Sequence, residues 1–233
     1  EGAYEEYPTK DEFKYENYER DFLIIQKIYQ KIFDFYFPFL ESNDKKNKLK
    51  DYFYKRLIFP IMDERSNVVG FGGRSLDDSN PKYINSPESD YFQKRYLLYN
   101  LSNAKIVARK KNNLLICEGY MDVVSLYEKG IESVVAPLGT ALTEQQLCLA
   151  WKHCFKPTIM FDGDSAGSRA AYKTALMSLG LITAKRLIQF TILPQNEDPD
   201  SFVNNNSLDA FVKLLKNQIS PCFFFTCPSR SIL

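Results

Sequence analysis

Thr158-Ile159-Met160-Phe161-Asp162-Gly163-Asp164-Ser165-Ala166-Gly167 is the stretch on which the reading of this 233-residue chain turns. Four apolar residues bounded by turn formers predict a buried strand, and the residues just past it lie at the rim of its sheet. Crowded carboxylates at a half-buried rim repel each other and lose their water, a cost that a bound cation removes. Mg²⁺ takes hard oxygen ligands and leaves room for a substrate's phosphates. In extended backbone Asp162 and Asp164 point the same way, which suits two ions roughly 3.5–4 Å apart. Taken alone, Asp-Gly-Asp reads first as a turn.

The flanking sequence repeats the pattern. Leu114-Leu115-Ile116-Cys117 predicts a strand that runs into Glu118, and a helix opening near Tyr120 and closing at Gly130 places Asp122 in its first turn. There Asp122 serves either the helix dipole or a metal. The strand-like run 187–193 precedes Glu197-Asp198-Pro199-Asp200, again a turn or a pair of ligands. Ser133-Val134-Val135-Ala136 reads as a fourth strand, and Thr143-Glu144-Gln145-Gln146 has capping-box spacing ahead of a helix through Leu147, Leu149 and Trp151. Ser165 is expected to cap a helix with Ala170, Ala171, Ala175, Leu176 and Leu179 facing inward and Gly180 ending it. Strands alternate with helices, and each acid cluster follows its strand. The expectation is a four-stranded doubly wound α/β domain with its site outside the carboxyl ends of the strands.

Net charge is only +1, so no global basic field points to nucleic acid. Over residues 45–111, however, 15 Lys and Arg stand against 7 Asp and Glu, a local excess of +8. Bases for phosphates thus sit beside acids for metal. Arg74 follows Gly72-Gly73, which lets backbone approach a ligand, and Lys82, Lys94 and Arg95 lie near loop signals. The run 45–50 reads as a solvated linker and 109–111 as a charged helix end. Tyr83, Tyr91, Phe92 and Tyr96 can stack bases, although aromatics at this density usually belong to a core.

Other chemistries find little support. The single histidine, His153, falls in an amphipathic helix and reads as structural. The five cysteines form no Cys-x-x-Cys pair, and helical phase scatters Cys148, His153 and Cys154, so no zinc site is expected and the thiols should be reduced. There is no P-loop and no run long enough to span a membrane. Residues 1–20 read as linker and 22–40 as an amphipathic helix ended by Pro38, while Glu1 in first position points to a fragment. The apolar ending at 221–228 looks truncated and, if exposed, would favour aggregation.

Longer strings narrow the reading. Glu118-Gly119-Tyr120-Met121-Asp122-Val123-Val124, Leu138-Gly139-Thr140, Phe161-Asp162-Gly163-Asp164-Ser165-Ala166-Gly167 and Glu197-Asp198-Pro199-Asp200 closely resemble the Toprim domain of bacterial DnaG-type DNA primases. Upstream, Arg56-Leu57-Ile58-Phe59-Pro60-Ile61, Val69-Gly70-Phe71-Gly72-Gly73-Arg74 and Pro81-Lys82-Tyr83-Ile84-Asn85-Ser86-Pro87-Glu88 resemble the amino-terminal subdomain of the primase polymerase core. The resemblance implies an α/β fold, a Toprim domain (Rossmann-like parallel sheet flanked by helices) preceded by a small α+β basic subdomain. The divisions expected are linker and helix over 1–51, an incomplete basic subdomain over 52–112, Toprim over 113–204 and a truncated helical segment over 205–233.

It also implies an activity: synthesis of short RNA primers on single-stranded DNA from ribonucleoside triphosphates. Mg²⁺ or Mn²⁺ would be bound by Asp162, Asp164, Asp198, Asp200 and Glu118, with Asp122 as a further ligand; Glu118 serves as ligand or as general base. Arg74, Lys82, Lys94 and Arg95 would face template or nucleotide. Complete primases of this kind carry an amino-terminal zinc-binding domain and a carboxyl-terminal helicase-interacting domain. A replicative helicase is therefore the partner expected of the full-length family member, in the bacterial cytoplasm.

Overall fold

The computed structural model describes residues 52–77, 80–139 and 141–226. The linker and helix expected over 1–51 lie outside them, as does Cys227. Residues 52–59 and 72–84 form one compact unit, and the remaining described residues form the other.

The decisive strand forms where the sequence places it. Thr158–Phe161 (β7) is buried at every position and pairs in parallel with Leu115–Ile116 (β5) on one side and Gln189–Ile192 (β8) on the other. Val134–Pro137 (β6) pairs in parallel with β5. β5, β6 and β7 are buried at every position and carry the near-continuous apolar runs of a parallel sheet covered on both faces. The order is β4-β6-β5-β7-β8, because Leu98–Tyr99 (β4) adds an antiparallel edge to β6. The sheet thus has five strands rather than the four expected, since a two-residue strand is too short to show a period. The free edge of β8 is closed by Ile219, whose backbone exchanges two hydrogen bonds with Phe190.

Leu101–Lys111 (α1), Tyr120–Glu128 (α2), Glu144–Trp151 (α3) and Ser165–Leu179 (α4) return the chain between strands, and Pro199–Asn205 (α5), Leu208–Lys216 (α6) and Phe223–Thr226 (α7) follow β8. The expected capping box at α3 is present, with the Thr143 hydroxyl accepting from the Gln146 N–H and the Gln146 side chain accepting from the Thr143 N–H. Two expectations about α4 are corrected. Asp164 caps it, not Ser165, through a bond from the Gly167 N–H at 2.7 Å. Its buried face is Gly167, Ala171, Thr174, Ala175 and Ser178, while Leu176 and Leu179 are exposed. Small residues win that face because the helix lies close to the sheet. His153 lies just past the end of α3, buried, rather than within the helix.

The apolar ending is partly absorbed: Phe224 packs edge-on against Phe190 at 5.2 Å and Phe225 against Tyr172 at 5.8 Å. Upstream, Arg56–Met62 (β1), Val68–Ser75 (β2) and Tyr83–Asn85 (β3) form a three-stranded sheet in the order β1-β2-β3. Gly73 makes room there for the Phe53 ring, 2.6 Å from where its Cβ would stand, so packing rather than ligand approach requires this glycine.

Candidate metal centre

Because β5, β7 and β8 run parallel, their carboxyl ends open on one edge, and Glu118, Asp162 and the 197–200 loop all meet there. Glu118 on the β5 side accepts a hydrogen bond from the Asp162 N–H through Oε1, at 3.3 Å. The loop after β8 is laced onto the loop after β7: the Gly163 N–H donates to the Glu197 carbonyl and the Asn196 N–H to the Gly163 carbonyl, both at 2.9 Å. That lacing demands glycine. A Cβ at 163 would stand 1.8 Å from the Pro194 carbonyl oxygen, and one at 167 would stand 2.3 Å from that of Asp162.

The acids are fixed by the helices they start. Asp198 caps α5, accepting from the Ser201 N–H at 2.6 Å with Pro199 in the first turn, so this string is a helix start and not the turn it resembled. Asp200 accepts from the Ser125 hydroxyl of α2 and from Asn204 at 2.8 Å. Asp122, in the first turn of α2, turns back to accept the Gly119 N–H at 2.9 Å. Each of these bonds uses one carboxylate oxygen. Asp162 is different: among the described residues its buried Oδ1 has no hydrogen-bond partner.

Charge crowding shows in proton affinity. Burial, and then the carboxylates of Glu118, Asp122, Asp198 and Asp164, push Asp162 up to about 7. Asp122 also rises to about 7, through burial and through Asp198, Asp200 and Glu118, against the Gly119 hydrogen bond that lowers it. Burial raises Glu118 too, with Asp164 adding to it, and burial plus these acids holds the Cys117 thiol well above its usual range. Six carboxylates thus share one field, which a cation would relieve. Among the described residues no three His, Cys, Asp or Glu side chains already converge at ligating spacing. The orphaned Asp162 oxygen and a donor set of carboxylates alone fit a hard divalent ion. A cavity of about 510 Å³ beside Glu118, walled by Arg169 and Lys173, offers room for an anionic ligand.

Of the basic residues singled out, Arg74 and Lys82 belong to the smaller unit, while Lys94 and Arg95 belong to the unit of the acids. Lys94 is 3.9 Å from Glu88, and the Arg95 guanidinium lies 4.7 Å over the Tyr96 ring. Sequence reasoning overlooked Ser125, Ser201 and Asn196, which hold the acids in place. Asn196 takes a left-handed φ of 63°, and Asp-Pro followed by Ser at the third helical position was the available capping signal.

A parallel sheet with one antiparallel edge strand, carrying acids along its carboxyl edge, defines the Toprim-like class, which implies use of a divalent metal. A family model described as Toprim-like matches residues 115–203. A second model, described as DNA primase catalytic core, N-terminal domain, matches residues 9–105, and with the two models in sequence the chain belongs to the DnaG-type DNA primase family, as part of its catalytic core. A DNA primase of Buchnera aphidicola is 40% identical over 184 residues, which are 79% of this chain and 32% of that protein. One of Legionella pneumophila is 41% identical over 190 residues, 80% of this chain and 33% of that protein. The E. coli primase catalytic core matches with a TM-score of 0.75 at 37% identity, covering 90% of this chain and 66% of that one. A DnaG primase catalytic domain solved bound to single-stranded DNA gives 0.74 at 36%, covering 90% and 64%. The chain spans about a third of the length of the curated relatives it matches.

Proposed function

We propose that this chain works as primase catalytic core, joining ribonucleotides into short RNA primers on a single-stranded DNA template. The observation that carries the reading is Asp162, a half-buried carboxylate whose buried Oδ1 has no hydrogen-bond partner among the described residues and which lies in the field of Glu118, Asp122, Asp164 and Asp198. Mg²⁺ or Mn²⁺ at Asp162, Asp164, Asp198, Asp200 and Glu118, with Asp122 behind them, would neutralise phosphate charge and acidify the attacking hydroxyl. The 3′-hydroxyl of one nucleotide attacks the α-phosphate of the next, and pyrophosphate leaves. In the alternative to ligating the metal, Glu118, raised by burial, is suited to take the hydroxyl's proton. Arg74, Lys82, Lys94 and Arg95 hold template or nucleotide phosphates. In a full-length relative the core would serve a replicative helicase in the bacterial cytoplasm; among the described residues no helix is long and apolar enough to cross a membrane.

Incubation with single-stranded DNA, radiolabelled ribonucleotides and Mg²⁺ or Mn²⁺ tests this. Short RNA that disappears in Asp162→Ala supports it, and nicking or relaxation of DNA would favour a Toprim nuclease or topoisomerase. Because the chain spans a third of its relatives, a second reading has weight: a core that binds metal and DNA without synthesis. Binding without product would establish that one.

A further inference from the structure

We infer that Ser125 and Asn204 are positioning residues that set the ion selectivity of the acid edge: together they fill one oxygen of Asp200, so that this carboxylate ligates through its other oxygen alone, which suits Mg²⁺ or Mn²⁺ better than Ca²⁺. The inference rests on the metal reading above and adds to it a rule for which ion is taken. Asp200 stands in the first turn of α5. Its Oδ1 accepts from the buried Ser125 hydroxyl of α2 and, at 2.8 Å, from the side-chain amide of Asn204, one turn further along α5. Asp122 and Ser125, three residues apart, share one face of α2, and that face meets Asp200.

An ionised carboxylate oxygen has two lone-pair sites, and two donors fill both. Asp200 differs in this from its neighbours. Among the described residues Glu118 Oε1, Asp122 Oδ2, Asp164 Oδ1 and Asp198 Oδ1 each accept a single hydrogen bond, from the N–H of Asp162, Gly119, Gly167 and Ser201 respectively. Mg²⁺ holds to an octahedron that one oxygen per carboxylate satisfies, and Mn²⁺ shares that geometry, whereas Ca²⁺ takes six to eight oxygens and gains from a carboxylate that gives both. Filling Oδ1 of Asp200 therefore costs Ca²⁺ a ligand and costs the smaller ions none.

Calorimetric titration of the full chain with Mn²⁺ and, separately, with Ca²⁺ tests this in wild type, Ser125→Ala, Asn204→Ala and the double variant. Wild type should prefer Mn²⁺ by about tenfold or more. Each single variant should bind Ca²⁺ about threefold more tightly while its Mn²⁺ affinity stays within about twofold, and the double variant should gain further. Asn204 is exposed, so its truncation reads the effect without disturbing the packing of α2. Ca²⁺ affinity that is unchanged or lowered in Asn204→Ala and in the double variant marks the pair as structural and overturns the inference. So does a wild type that binds both ions alike. A wild-type chain with no saturable Mn²⁺ binding overturns the metal reading and the inference with it.

Discussion

The acid edge of the parallel sheet and the cluster around His153 both bury ionisable groups in the same unit, and they meet the cost in opposite ways. Around His153 an acid is met by bases. The imidazole Nε2 lies 2.9 Å from Glu64 Oε1, Lys152 approaches the other Glu64 oxygen at 3.8 Å, and Lys105 donates to the Glu64 carbonyl. Asp63 beside it holds the turn to Asn67 and is lowered chiefly by the Asn67 side chain. At the acid edge six carboxylates face one another, and no base offsets the burial and neighbouring acids that raise Glu118, Asp122 and Asp162. A balanced cluster serves the fold, whereas an unbalanced one is stable only with a ligand that supplies the missing charge.

The largest difference is expected from single substitutions at the two clusters. Asp162→Ala should reduce primer yield about a thousandfold or more, on the scale of several kcal/mol of transition-state stabilisation, yet leave the metal-free melting temperature unchanged or raised. A variant that loses both activity and fold would place Asp162 with His153 as a structural group. Next, Gly163→Ala forces the two loops of the acid edge apart and should cost about 1–3 kcal/mol in a denaturant titration, with metal affinity falling in parallel. Glu64→Ala removes the acceptor from a buried imidazole and should cost about 1–2 kcal/mol while leaving metal binding intact.

Stability should also tilt with pH. Burial holds His153 below its usual 6.5, so its contribution is full above that value and is lost as the pH falls. Asp122 and Asp162, raised from 3.8 to about 7, do the reverse: their contribution is full below 3.8 and is lost as the pH climbs through 7. Melting temperatures of metal-free protein across pH 4–8 should show both arms, and Mg²⁺ should recover only the alkaline one.

How much of this was legible in the sequence follows from periodicity. β7 and the helices at Thr143 and Tyr120 were readable because apolar runs and capping residues are local signals. β4 was not, because two residues paired through distant β6 carry no pattern of their own. The inward face of α4 was misread because apolarity favoured Leu176 and Leu179, while closeness to the sheet selected Gly167 and Ala171. At the site the acids could be named from their place after strands. Their supports could not, since the Ser125–Asp200 bond joins residues 75 apart in the chain. The Gly72-Gly73 pair was read toward a ligand when the Phe53 ring takes the space at Gly73.

The central claim is that the acid edge is a divalent metal site centred on Asp162. Calorimetric titration of the full chain with Mn²⁺ near pH 7, in two buffers of different ionisation enthalpy, tests it directly. Saturable binding accompanied by proton release, with both lost in Asp162→Asn, is the predicted result. No saturable binding, or the same isotherm in Asp162→Asn, would contradict it.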